Sequence, residues 1–380
     1  MSQLRKSFVH TRRDAWVEVN LGAVEHNIKE LKSLILPRTK IMAVVKADAY
    51  GHGAAMLAPT LVASGVSMLG VASVDEGIQL REAGITAPVL VLGAAPNWAF
   101  EAAVENDISL SIFTQDHIQS CINTYNKLKI RPVTHIKVDT GMHRIGIPYY
   151  DAKTFINKVA NTPEIKLEGV FTHLACAEIS DITAFQRAKW LDVINQIDYS
   201  GLALHTANTA GMIAYSELHF DMVRSGIGIY GLMPDLADKV SAIPCLKQVM
   251  SLKGRIIHLQ ELESNSGISY GYSYKTDSAL TRVATIPIGY ADGVSRSLSN
   301  NIYGLLKGKK VRQIGNITMD QMMFDVSEIE NTAVGDVITL LGEDGKDFIS
   351  IDSWADKLKT INYEITCRLK VRLPRVYTRD

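Results

Sequence analysis

The sequence carries no excess of charge: 40 Lys and Arg residues are matched by 40 Asp and Glu. That balance argues against nucleic acid or an anionic membrane surface as the main partner. Cysteine is sparse. Cys121, Cys176, Cys245 and Cys367 lie far apart, with no CxxC pair and no metal-ligand spacing. Neither a disulfide framework nor a metal centre is expected, and a reducing, cytoplasmic setting fits. No run of about 18 apolar residues occurs, so no membrane-spanning helix is expected. The opening stretch, MSQLRKSFVHTRRDAWVEV, is basic but lacks an apolar segment of signal-peptide length. Pro/Ser-rich linkers, low-complexity tracts and short repeats are also missing.

What is present is ordinary globular material. Hydrophobic residues make up 47% and charged residues 21% of 380, a length beyond which one core usually divides into two domains. Eight short apolar runs recur through the first two-thirds of the chain: IMAVVKA from Ile41, SMLGVAS from Ser67, PVLVLG from Pro88, ISLSIF from Ile108, VTHIKVD from Val133, LEGVFTH from Leu167, ALHTAN from Ala203 and FDMVRSG from Phe220. Runs of this kind suit strands buried on both faces. Segments with helical spacing, such as Val74–Ala83 and Thr183–Ile197, separate most of them. Eight such units predict an α/β fold, an N-terminal (β/α)8 TIM-like barrel, with a doubly wound open sheet as the competing arrangement. Beyond about Val240 the texture alternates and is rich in β-formers and Gly, Asn and Asp, which predicts a C-terminal mostly-β domain with one short helix at Ser353–Lys359. The expected division is 10–240 and 241–380, with segment 11–20 a strand able to join either part.

In a (β/α)8 barrel, chemistry sits at the C-terminal strand ends. The unusual polar residues fall there: Lys46, Lys137, Asp139, His173, Asn208 and Arg224. Lys46, in AVVKADAYGHG, suits a desolvated amine for Schiff-base chemistry and equally a lysine snorkelling from the rim. Arg224 leads into a turn with Ser225, Gly226 and Gly228, which fits a phosphate site as well as it fits a plain turn. Arg144 matches a carboxylate clamp or a surface ion pair. His173 fits cofactor orientation or a structural hydrogen bond, and Tyr270 and Tyr290 by themselves read as packing residues.

Taken together, AVVKADAYGHG, KVDTGMHRIG, VFTHLACAE, HTANTAG, MVRSGIGIYGL, ISYGYSY, IPIGYADG, NITMDQMM and INYEITCRLKVRLPRVY resemble, in order, the motifs of alanine racemases, pyridoxal 5'-phosphate (PLP) enzymes of fold type III. The resemblance spans about Trp16 to Val376. It implies that Lys46 holds PLP covalently, and that Tyr50, Ser225, Gly226, Ile227 and Tyr363 surround the phosphate with Thr209 and neighbouring Asn208. Arg224 would face the pyridine nitrogen with His173 beside it. Tyr270 would serve as the second catalytic base from a partner subunit, which implies a homodimer with shared sites. Arg144 and the Met319 backbone would hold the carboxylate of alanine, with Asp320 and Tyr290 lining the substrate region. Lys137 matches a lysine that is carbamylated in some members and orients Arg144. Two positions depart from the pattern: His143 where glycine is common and Thr318 where cysteine is frequent.

The implied activity is interconversion of L- and D-alanine by two bases, Lys46 and Tyr270, for peptidoglycan synthesis or alanine catabolism. A broad-specificity or serine racemase of the same fold is the nearest alternative. A non-catalytic PLP-binding protein is the alternative of another class, and it would have no use for a second domain bearing a base.

Overall fold

The computed structural model describes residues 13–237, 240, 242–369 and 371–379. The basic stretch 1–12 and the expected bounds at 10, 11, 241 and 380 lie outside the described residues. Two compact units emerge. One comprises Val24–Ala49 and Gly53–Lys247; the other takes the chain up to Ala23, Tyr50–His52 and the segment from Gln248 onward.

The first unit is a closed barrel. Its parallel strands run in order Lys40–Val44, Met68–Val71, Val89–Val91, Ile108–Ile112, Val133–Asp139, Lys166–Phe171, Ala203–His205 and Met222–Ser225. The eighth pairs with the first, Val223 opposite Ile41, and this closure excludes the open doubly wound sheet. All eight expected runs form strands. Their continuous apolar character reflects burial on both faces; Met68–Val71 and Val89–Val91 are buried at every position. Unbranched Met42, Met68 and Met222 pack with Leu90 inside, where flexible thioethers fill an irregular gap. Two of the helices between strands start at hydroxyl caps: Ser73 accepts from the Glu76 amide ahead of Val74–Glu82, and Thr114 from the His117 amide ahead of Gln115–Leu128.

The second unit is built on a 10-stranded sheet. Along it run His258–Glu263, Leu280–Ile286, Met322–Asp325, Lys309–Ile314, Tyr303–Leu306, Val337–Asp344, Met250–Arg255, Ala15–Asn20 and Arg375–Thr378, with Asp347–Ile349 paired to Val337–Asp344. In Ala15–Asn20, Ala15, Val17 and Val19 are buried while the alternate residues are partly exposed, the period of a one-sided strand. It pairs antiparallel to Met250–Arg255 and parallel to Arg375–Thr378. The expected helix at Ser353–Lys359 runs Ile351–Leu358, capped by Ser350, and a second helix, Asn362–Arg368, follows that periodicity alone does not predict. Its seven residues include β-branched Ile365 and Thr366, so propensity is weak and tertiary burial of both side chains decides. No helix among the described residues is long and apolar enough to cross a membrane.

Candidate active site

Arg224 is the centre of the polar rim of the barrel. It lies within the eighth strand, which runs on to Ser225, rather than in the following loop, and it is 3% exposed. Its guanidinium donates to the carbonyls of Thr172 (2.7 Å) and Thr206 (2.9 Å), to Nδ1 of His173 (3.2 Å) and to Nδ1 of His205 (3.0 Å). A guanidinium has donors only, so both imidazoles must accept at Nδ1 and carry their proton on Nε2. The Nε2–H of His205 then donates to Nδ1 of His135 at 3.0 Å. His205 also lies flat on Phe171, rings 4.7 Å apart and 3° from parallel. Gly169 makes room for this pair, because a Cβ there would sit 2.3 Å from His135 Nδ1.

Burial and the Arg224 charge hold His173 and His205 neutral, well below the usual histidine range. Burial, opposed by Glu168, brings His135 down to about 4. Arg224 itself is pushed down by burial to about 9, which leaves it charged at neutral pH. Lys137 is also buried, with Nζ 4.8 Å over the Phe171 ring and no hydrogen-bond partner among the described residues. Burial and then the Arg224 and Arg144 charges press its amine well below the ordinary lysine value. Lys46 sits partly buried just after the first strand, and its charge reaches His173. Arg144 is exposed.

Two local backbone features shape the rim. From Ala47 to Tyr50 the chain makes a left-handed helical turn, φ 53, 52, 54 and 55°, rather than a plain loop. Left-handed geometry costs roughly 1–2 kcal/mol for each non-glycine residue. Local hydrogen bonds offset it: Glu76 accepts from the Ala47 amide (2.7 Å), Asp48 Oδ1 from Ala54 (2.7 Å), and Val45 O from Ala49 (2.8 Å). His143 likewise occupies a positive φ, 53°, which accounts for glycine being common there. Its ring pairs with Asp139 at 3.1 Å. Burial raises the Asp139 carboxyl, but donation from the His143 and Gly141 amides outweighs it and holds the pKa low.

After the eighth strand, Gly226 donates to Thr209 Oγ1 (3.0 Å) and Thr209 Oγ1 lies 3.4 Å from Ser225 Oγ. A Cβ at Gly228 would come 2.8 Å from Thr209 Cγ2, so the two loops need glycine to close. Asn208 caps Thr209–Ala214 by accepting from Gly211. Among the described residues, the amides of Ile227 and Gly228 donate to no protein acceptor. Buried, open N–H groups bordered by hydroxyls are a donor set for phosphate, and the basic rim beside them suits an anionic ring cofactor. These residues fit PLP.

The second unit carries the remaining expected residues. Tyr50 is buried and its ring lies 6.0 Å from that of Tyr363; burial, then the Tyr363 and Cys367 charges, raise its phenol. Tyr270 is 75% exposed on a hairpin crest in which Ser269, Gly271 and Tyr272 all have positive φ. Asn316 fastens that crest by donating to Tyr270 O, while Ser269 Oγ donates to Asn316 O, both at 2.7 Å. Tyr270, Thr318 and Gln321 line one open groove of about 650 Å³. Met319 and Asp320 form the exposed centre of a turn closed by Thr318, whose hydroxyl donates to Gln321 O and accepts from its amide. A cysteine thiol would close it weakly. The Met319 and Asp320 amides donate to no acceptor among the described residues, so a carboxylate can take them. Tyr290 packs beside that turn by donating its amide to Thr318 O at 3.0 Å.

The barrel thus gathers Lys46, Lys137, Arg144, His173, Asn208, Thr209, Arg224, Ser225, Gly226 and Ile227, and the other unit gathers Tyr50, Tyr363, Tyr270, Tyr290, Met319 and Asp320. His205 and His135 are additions. Each interrupts an otherwise apolar strand, and that interruption was the available signal. Of the Arg224–His173 pair, Arg224 alone carries charge.

Comparison with known proteins agrees over both units. Residues 19–234 match the family model for the alanine racemase N-terminal domain, and 249–377 that for the C-terminal domain. An alanine racemase of Nostoc sp. is 43% identical over 378 residues, covering 95% of each chain. The solved alanine racemase of Clostridium difficile superposes with a TM-score of 0.91 at 36% identity, over 98% of this chain and 97% of the other. A histidine racemase of Leuconostoc mesenteroides subsp. sake also aligns, with a TM-score of 0.88 at 28% identity over 97% and 99% of the chains. With matching models across both units and relatives well above 30% identity along nearly its full length, the chain belongs to the alanine racemase family.

Proposed function

We propose that this protein interconverts L- and D-alanine with PLP, using Lys46 and Tyr270 of the partner subunit as opposed bases. The observation that carries the reading is the buried Arg224 with two neutral histidines beside the open Ile227 and Gly228 amides. Such a site holds a phosphate-bearing heteroaromatic ring without giving its nitrogen a proton, because the guanidinium keeps its own through four acceptors.

PLP, when bound, supplies an electron-withdrawing ring that acidifies the α-hydrogen of an attached amino acid. Lys46 would hold it, Thr209, Ser225 and the open Ile227 amide next to Gly226 would take its phosphate with Tyr50 and Tyr363, and Arg224 with His173 would face the ring. Asn208 fixes the Thr209 helix start. One base removes the α-proton and the other returns a proton on the opposite face. Lys46 Nζ serves one face and the Tyr270 phenol the other. The substrate carboxylate goes to Arg144 and the Met319 amide, with Asp320 and Tyr290 at its edge.

Lys137 supports the carboxylate clamp in modified form. Burial and the neighbouring cations favour loss of the Lys137 ammonium proton, and the free amine then reacts with carbon dioxide, the new N–C bond giving a carbamate and releasing one proton. The resulting anion is the partner that Arg144, itself a source of repulsion on the free amine, would take. A homodimer in a cytoplasmic setting, supplying D-alanine for peptidoglycan or consuming alanine, completes the reading.

Absorbance of PLP-loaded protein and polarimetry on L-alanine test it. A visible cofactor band lost in Lys46→Ala, with rotation decaying to zero, is the expected result. A band without racemisation would overturn the activity, and no band would overturn the cofactor. The likeness to a histidine racemase makes substrate breadth a second reading, so rates on serine, lysine and histidine belong beside those on alanine.

A further inference from the structure

Asp292 is a fully buried carboxylate in the turn that carries Tyr290. Arg13 grips it with both Nη atoms, at 2.5 and 2.7 Å, and spends a further donor on Pro287 O (2.9 Å). Asp292 Oδ2 also accepts from the Gly289 amide at 3.0 Å. Arg372 reaches the same carboxylate, Nε 3.4 Å from Oδ1, and donates with Nη2 to Asp320 at 2.6 Å. One guanidinium therefore bridges the Tyr290 turn and the Met319–Asp320 turn.

The two turns are stacked edge to edge beneath that bridge. Tyr290 donates to Thr318 O and Ala291 to Met319 O, both at 3.0 Å. The approach is close enough that a Cβ at Gly289 would lie 2.3 Å from Thr318 O and 2.4 Å from Met319 O. Those carbonyls are thereby pinned, which aims the open Met319 and Asp320 amides away from the Tyr290 turn. The Asp320 carboxylate remains a difficulty for an incoming anion. Left alone, it would repel a substrate carboxylate bound at the adjacent amides; with Arg372 against it, the local charge is cancelled.

We propose that Arg372 is a positioning and charge-neutralising residue for the substrate-carboxylate subsite, acting through Asp320 and the turn it closes. The proposal rests on the racemase reading above, in which the Met319 amide takes the substrate carboxylate. Propionate, which has the carbon frame and carboxylate of alanine without the amine, isolates that subsite from the chemistry.

The test uses full-length, PLP-loaded protein with Arg372→Met, Arg372→Lys and the pair Arg372→Met/Asp320→Asn. Propionate affinity is read by thermal shift, and KM and kcat are measured for L-alanine. Because the pair is partly exposed, Arg372→Met should raise KM and weaken propionate by about three- to tenfold, with kcat changed less. The double variant should regain most propionate affinity, since no uncompensated carboxylate is left. Arg372→Lys, which keeps the charge but cannot span both carboxylates, should fall between; it carries the test if Arg372→Met fails to fold. Unchanged KM and propionate affinity, with only a lower melting temperature, would overturn the proposal. A wild type that neither racemises alanine nor is stabilised by propionate would overturn the parent reading and the clamp together. A functional wild type beside unmoved variants overturns the clamp alone.

Discussion

Arg224 donates to Nδ1 of His205 at 3.0 Å, and this contact dictates the proton position on an imidazole that in turn donates to His135. His205→Leu leaves a buried guanidinium donor without its acceptor, at a cost of about 1–3 kcal/mol. Urea unfolding should show a loss of that size, and His205→Gln should regain part of it. Equal stability of wild type and the leucine variant would show that the contact contributes nothing.

The three neutral histidines set an acid limit. Their folded pKa values are depressed, to about 4 for His135 and well below the usual value for His173 and His205. Below about pH 6.5 the unfolded chain binds protons that the folded one refuses. Stability is therefore full above that pH and falls as pH drops toward the folded values, by up to about 1.4 kcal/mol per pH unit for each histidine. Unfolding midpoints from pH 7.5 to 4.5 should bend downward near 6.5, and less so in a His135→Gln variant.

The left-handed turn after Lys46 predicts an inverted glycine effect. Ala47 is exposed and at φ 53°, so Ala47→Gly should stabilise by up to about 1 kcal/mol, where a mid-helix glycine would destabilise. Ala47→Val should do the reverse. Chemical denaturation of both variants decides it, and a destabilising glycine would contradict the turn.

Much of the fold was legible because parallel barrel strands, buried on both faces, leave long apolar runs with polar residues clustered where they end. Lys46, His173 and Arg224 stood out for that reason. The left-handed turn was not legible: AVVKADAYGHG has glycine only at 51 and 53, while the positive φ values begin at Ala47. Nor was the grip of Arg13 on Asp292, 279 residues apart in sequence, because an ion pair between distant segments leaves no local pattern. Whether His135 and His205 meet is likewise decided by barrel closure, since each alone reads as an odd polar residue in a strand.

Gly289→Ala should disable the carboxylate subsite without touching any charged group. The new methyl meets two backbone carbonyls that have no room to retreat. A loss of more than about 2 kcal/mol in stability, or a KM raised on the order of tenfold in folded protein, is expected. Normal kinetics in the alanine variant would mean that the two turns are not held as tightly as their hydrogen bonds indicate.

The first and last strands described in the chain, Ala15–Asn20 and Arg375–Thr378, lie side by side in one sheet, with Met250–Arg255 on the opposite edge of the former. On the ribosome this order has a consequence. The barrel segment is complete just before Met250–Arg255 emerges and long before Arg375–Thr378 does, so the barrel is free to condense while Ala15–Asn20 waits for its second neighbour. One edge of that strand can be taken by Met250–Arg255 as soon as it is made, but the other stays open until Arg375–Thr378 emerges. Nascent chains stalled short of residue 375 should therefore recruit chaperones more than chains that have passed it, because Arg375–Thr378 is what covers the second edge of Ala15–Asn20.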